Sequence, residues 1–197
     1  MITTQSWKIV RLFYQNKFQQ IHLREIARQA ELHGPSATRC LKVLEKEKIL
    51  KSEIEGNLKK YSLRHNKPAY AILTLLDVEK MEKLPVVRKN AISSYLKALP
   101  VPPVFAVLFG STAKENYREN SDMDLLIVTN NKMDTKKAER EADAVGAVKV
   151  STFQITYQNF LNELKMKEDK VVQSAIYSGY PLINHIAYYE VLFNEGI

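Results

Sequence analysis

The stretch "VFAVLFGSTAKENYRENSDMDLLIV", residues 104–128, decides the fold. Two apolar runs of strand length, "VFAVLF" and "DLLIV", flank a Gly-Ser corner, a polar loop and two aspartates one residue apart. Short apolar runs bounded by turn residues fit buried strands. Gly110 lets the backbone approach a ligand closely, and a helix opening at Ser111 would offer free amides and a hydroxyl to a phosphate. Asp122 and Asp124 stand two apart at the start of a strand, which puts both carboxylates on one face. Two carboxylates beside a phosphate call for a divalent cation, because Mg²⁺ binds through one or two carboxylates together with phosphate oxygens. A bare D-x-D is more often a solvated loop or a turn cap. The combination is more specific: strand, Gly-Ser, ten intervening residues, D-x-D, strand.

Downstream, "KMDTKKAEREADAV" reads as a helix and "AVKVSTFQIT" as a further strand. This alternation predicts a sheet with helices packed on it. The remainder reads as helices broken at Ser178-Gly179 and Pro181, with Tyr177, Tyr180, Tyr188 and Tyr189 as core aromatics rather than pocket lining.

The segment "VLFGSTAKENYRENSDMDLLIV" closely resembles the nucleotidyltransferase superfamily of the polymerase beta type, within it the small minimal nucleotidyltransferases. The fold resemblance extends more weakly to about residue 157. It implies that Gly110 and Ser111 hold nucleotide phosphates and that Asp122 and Asp124 are the catalytic pair holding Mg²⁺ (or Mn²⁺). Lys114 matches a basic residue common three places after the serine, while the glycine that often follows is Glu115 here. The implied reaction moves a nucleoside monophosphate from an NTP to a hydroxyl and releases pyrophosphate. Active members have a third carboxylate on the next central strand. The candidate strand here offers Lys149, Ser151, Thr152 and Gln154 but no acid, and the nearest acids are Asp143 and Glu163. Three explanations stand open: another carboxylate substitutes, the acceptor supplies its own activation, or the site binds nucleotide without transfer.

The net charge of +7 is confined to one third of the chain. Residues 1–66 hold 13 Lys and Arg against 6 Glu, whereas the rest has 16 of each sign. A surplus so localised points to a polyanion. "SWKIVRLFYQN" and "HLREIARQA" carry helical apolar faces through Trp7, Ile9, Val10, Phe13 and Tyr14, and through Leu23, Ile26 and Ala27. The pattern breaks at "HGPS", where Ser36 is the expected N-cap of a helix burying Ala37, Cys40, Leu41 and Leu44. Thr38, Arg39, Lys42 and Lys46 line its other face. "ILKSEIEGNLKKYSL" reads as a hairpin turning at Gly56 and Asn57, with Lys59 and Lys60 on its return. Residues 4–63 resemble a winged helix-turn-helix domain. That resemblance implies a recognition helix placing Ser36, Thr38, Arg39 and Lys42 in the major groove, with the hairpin lysines on phosphates. The other reading is a basic helical module for protein contacts.

The expected class is α+β: a winged helix-turn-helix at 1–66, a helical connector at 67–103 split at Pro85, and a polymerase beta-like nucleotidyltransferase fold at 104–197 with a mixed sheet and packed helices. Cys40 reads as packing in a reducing compartment. The four histidines have no metal-ligand spacing. No charged-then-apolar leader opens the chain, and no apolar run approaches the roughly 20 residues of a membrane helix, so a cytoplasmic protein without a membrane partner is expected. Expected partners are double-stranded DNA, an NTP, a protein or small-molecule acceptor and a second copy of the chain. The alternative function is a DNA-binding transcriptional regulator whose second domain only binds nucleotide or serves structurally.

Overall fold

The computed structural model describes residues 2–119, 121–146 and 148–195. The chain forms two compact units that divide between Leu76 and Asp77.

The first unit runs α1 (Thr4–Gln15), β1 (Ile21–His22), α2 (Leu23–Gln29), α3 (Gly34–Lys46), β2 (Leu50–Glu55), β3 (Leu58–Leu63) and the start of α4 (Lys67–Lys83). Its core forms where the helical apolar faces meet: Ile9, Val10 and Phe13 of α1, Ile26 of α2, and Ala37, Cys40, Leu41 and Leu44 of α3 are all buried. Trp7, Leu23 and Ala27 are only half-buried. The hairpin pairs Leu50 with Leu63 through Glu55 with Leu58. Gly56 alone takes positive φ in its turn, at +59°. The two-residue β1, absent from the expected pattern, pairs with the other edge of β3 through Ile21↔Tyr61 and His22↔Lys60.

The cap of α3 differs from expectation. The helix begins at Gly34 with His33 as N-cap, so Ser36 lies inside the first turn and caps nothing. Pro35 is tolerated there because the first-turn amides have no intrahelical partner to lose. The expected break is thus part of the helix itself.

The second unit contains the end of α4, then α5 (Val86–Ala98), β4 (Phe105–Phe109), α6 (Gly110–Ala113), β5 (Met123–Thr129), α7 (Lys136–Gly146), β6 (Val150–Thr156), α8 (Tyr157–Met166), α9 (Lys170–Ser178), β7 (Tyr180–Pro181) and α10 (His185–Glu195). The sheet order is β6-β5-β4-β7. The pairs β4/β5 and β4/β7 are antiparallel and β5/β6 is parallel, which makes the sheet mixed. One face buries Ala106, Leu108, Met123, Leu125, Ile127 and Val150 against Ala91, Ile92 and Tyr95 of α5 and Ala138 and Ala142 of α7. On the other face Phe105 meets Phe160 of α8 and Tyr188 of α10, the last edge-on at 5.6 Å between centroids. Because α5 packs on this sheet, the segment expected as a separate connector supplies part of the second unit's core. Asp77, buried near the end of α4, accepts the Tyr189 hydroxyl on both carboxylate oxygens at 2.9 Å. Tyr180, Tyr188 and Tyr189 are buried, whereas Tyr177 is exposed. The short strand β7 occupies the expected break between α9 and α10, since Pro181 ends any helix yet fits at a strand edge.

Among the described residues, no helix is long and apolar enough to cross a membrane.

Candidate functional site

The antiparallel register of β4 and β5 sets Phe109 opposite Asp124. The next residue, Gly110, turns the chain into α6 with φ +71°, and its α-carbon lies directly against the Asp124 carboxylate: a Cβ built there would stand 2.1 Å from Oδ2. Only glycine accepts both the left-handed backbone and this approach. Burial, and secondarily the negative charge of Asp122, push the Asp124 carboxyl above the usual carboxylate range. The structure therefore brings Gly110, Ser111, Asp122 and Asp124 to one end of the β4/β5 pair. Lys114 follows as the C-cap of the single-turn α6, with an exposed side chain.

Two cations missed by sequence reasoning hold this corner. Arg88 of α5 is 2% exposed. Its Nη1 donates to Thr112 Oγ1 at 3.0 Å, and Nη2 donates to the carbonyls of Arg118, Glu119 and Ser121 at 3.2, 3.2 and 3.0 Å. The guanidinium also lies 4.1 Å from the centroid of the Tyr117 ring. Lys80 of α4 donates to the Ala113 carbonyl at 2.7 Å and stands 3.6 Å from the Glu115 carboxylate. Glu115 itself has φ +60°, in the left-handed region. That backbone explains why a glycine suits this place, and the Lys80 contact gives Glu115 a partner there.

The parallel register of β5 and β6 tests the third carboxylate. Met123 pairs with Val150 and Asp124 with Ser151. Met123 and Val150 point into the core beneath α5 and α7. By alternation Asp122, Asp124, Lys149 and Ser151 share the opposite face. Where an acid would complete the set stand a hydroxyl and an ammonium, and Lys149 Nζ lies 3.8 Å from Asp122 Oδ2. The two side chains are 70% and 46% exposed, so this ion pair by itself is worth at most about 1 kcal/mol. The two acids considered as substitutes are engaged elsewhere. Asp143 accepts the Val150 amide at 3.1 Å, and Glu163 accepts the amides of Glu168 and Asp169 at 3.2 and 2.9 Å. Among the described residues no three His, Cys, Asp or Glu side chains come together to hold a metal. Two carboxylates beside a close-approach glycine fit one hard divalent cation that shares phosphate oxygens. They do not supply the donors for a second.

In the first unit the expected DNA-contact residues divide. Arg39 and Lys42 are exposed on α3 along with Lys46, while Ser36 and Thr38 are half-buried. The Thr38 hydroxyl is spent on the Gly34 carbonyl at 2.9 Å. On β3, Lys59 reaches Glu45 at 3.3 Å and lies over the Tyr61 ring at 4.9 Å. Lys60 pairs with Glu55. Both hairpin lysines thus already have acidic partners.

Two outcomes follow from the geometry of the corner. Gly110→Ala is expected to cost only about 1–2 kcal/mol of stability, because the Asp124 side chain can swing away. The same swing breaks the carboxylate pair, so Mn²⁺ affinity measured by electron paramagnetic resonance should fall at least about tenfold. Arg88→Lys should destabilise the second unit by roughly 2–4 kcal/mol in urea unfolding, since an ammonium cannot span four acceptors. Arg88→Met should cost no less.

No curated protein and no solved structure matches the chain. Residues 90–185, just under half of its length, match the family model described as Polymerase beta, Nucleotidyltransferase, a span that reaches from α5 to the start of α10 and places the Gly110–Asp124 corner in a domain of the nucleotidyltransferase superfamily.

Proposed function

We propose that the second unit binds an NTP with Mg²⁺ (or Mn²⁺) at Gly110, Ser111, Asp122 and Asp124 and transfers its nucleoside monophosphate to a hydroxyl of a protein or small-molecule acceptor. The observation that carries this reading is the approach of Gly110 to Asp124 within a matched nucleotidyltransferase segment. It leaves backbone and carboxylate side by side with no side chain between them. The cation, held by Asp122 and Asp124, would draw charge from the phosphate oxygens. Ser111 stands on the same corner to position the triphosphate, with Lys114 one turn away as a flexible positive charge. The acceptor oxygen forms a bond to the α-phosphorus as the bond to the bridging oxygen breaks, and pyrophosphate leaves with the electron pair. With no acid on the matching face of β6, the hydroxyl proton passes to water.

A second reading is favoured by one observation, the ammonium of Lys149 beside Asp122 where an acid would stand. In it the site binds nucleotide without transfer, and the chain is a DNA-binding regulator. The experiment is incubation with labelled NTPs, Mg²⁺ or Mn²⁺, and candidate acceptors including the protein itself. Label transfer that drops at least about 100-fold in Asp122→Ala/Asp124→Ala supports the transferase. Transfer unaffected by the double substitution removes the site. Nucleotide binding without transfer selects the regulator.

For the first unit we propose a winged helix that binds double-stranded DNA through α3, with a homodimer presenting two such helices to two half-sites. The helix-hairpin order, the β1-β3-β2 sheet and the exposed row Arg39, Lys42 and Lys46 support it. Arg39→Ala/Lys42→Ala is expected to lower the slope of log affinity against log salt by about 2 for a mixed pool of duplexes. Lys59→Ala should leave that slope nearly unchanged, because Glu45 already holds the ammonium. Binding indifferent to salt would sink the DNA reading.

A further inference from the structure

We infer that Lys149 is a triphosphate-binding residue, and that its ammonium joins Lys114 as a positive charge of a site that takes one divalent cation. The inference rests on the nucleotide reading above. Three observations carry it. The register of β5 and β6 sets Ser151 beside Asp124, and the residue before each pair member brings Lys149 beside Asp122, at the end of the sheet face opposite α5 and α7. The start of β6 is held in that register by the Met123 amide, which donates to the Lys149 carbonyl at 2.9 Å. The Lys149 ammonium lies 3.8 Å from Asp122 Oδ2, and 70% of its side chain is open to solvent.

The charges around this corner make the assignment specific. Arg88 is buried and spends its donors on Thr112 and three loop carbonyls. Lys80 spends a donor on the Ala113 carbonyl and faces Glu115. Neither is available to a ligand. Among the described residues Lys149 has an exposed ion pair as its partner, so its ammonium can move from Asp122 onto a phosphate oxygen without leaving a buried charge behind. A triphosphate carries close to four negative charges, which two carboxylates and a single divalent cation do not balance. An ammonium with three donors on a flexible stem offsets one of the remaining charges. The same ammonium, resting against Asp122, competes with a bare cation for that carboxylate. Lys149 thus opposes metal in the free site and supports it once phosphate is present.

The test uses the full chain, with inorganic triphosphate as a base-independent probe, and compares wild type with Lys149→Met and Lys149→Arg. Mn²⁺ alone should bind Lys149→Met about fivefold more tightly than wild type, the factor that a unit charge about 4 Å away exerts through water. Triphosphate titrated in saturating Mn²⁺ should bind Lys149→Met about tenfold more weakly, with Lys149→Arg within about threefold of wild type. One Mn²⁺ should accompany each triphosphate. Lys149→Met equal to wild type in either titration, or two Mn²⁺ per chain in the wild type, overturns the inference. Failure of the underlying nucleotide reading looks different: wild type then takes up no triphosphate and matches Asp122→Asn/Asp124→Asn.

Discussion

Arg88 is buried with carbonyls and a hydroxyl as its hydrogen-bond partners, and the loop between β4 and β5 is shaped by what that guanidinium requires. A charge removed from water is tolerated only when its donors are met in good geometry. The loop meets them by folding the carbonyls of Arg118, Glu119 and Ser121 inward, closed by the Arg118 amide donating to the Ser121 hydroxyl at 2.9 Å. Carbonyl dipoles, rather than Asp122 or Asp124, satisfy the guanidinium. Both carboxylates are thereby left out of the guanidinium's hydrogen bonds. A carboxylate partner for Arg88 would be stronger pair by pair, yet it would consume the groups on which the site depends.

Given that loop, the register does the rest. Phe109↔Asp124 across β4/β5 brings the carboxylate to Gly110, and Asp124↔Ser151 across β5/β6 decides what stands on its other side. The first pairing builds a corner where backbone and carboxylate lie side by side. The second withholds a third acid and supplies an ammonium. The raised titration of Asp124 belongs to the same arrangement, since partial burial and a second carboxylate nearby both disfavour its charged form.

What the sequence revealed of this site was local, and what it concealed was relational. The apolar runs, the Gly-Ser corner and D-x-D lie within 25 consecutive residues, and their spacing is enough to set strand, turn and strand. The missing acid was also visible, because "AVKVSTFQIT" contains none. Arg88 was not visible: an arginine near the start of a helix with apolar neighbours reads as a solvated side chain until the loop is folded over it. Lys149 escaped notice as a site residue for a similar reason. Its proximity to Asp122 follows from a parallel pairing across the α7 crossover, and no short-range pattern encodes that register. At α3 the misreading was chemical. The first turn is where a missing amide is least felt, so Pro35 lies inside the helix and the N-cap is His33 instead of Ser36.

The basic third of the chain shows how composition and structure weigh charge differently. Among the described residues, ion pairs in that unit engage Glu25, Glu31, Glu45, Glu53 and Glu55. Their cations are Lys8, Arg28, Lys51, Lys59 and Lys60, spread over the helices and the hairpin. Arg39, Lys42 and Lys46 of α3 are in none of these pairs. Spaced three and four residues apart, they fall on one helical face, where their like charges repel one another unless an anion lies between them. Pairing on the hairpin therefore gives α3 a larger share of the unit's surplus than composition alone does. Arg24 of α2 and Lys48 are likewise exposed and in none of these pairs, so a polyanion would meet the α3 face together with them and less of the paired hairpin lysines.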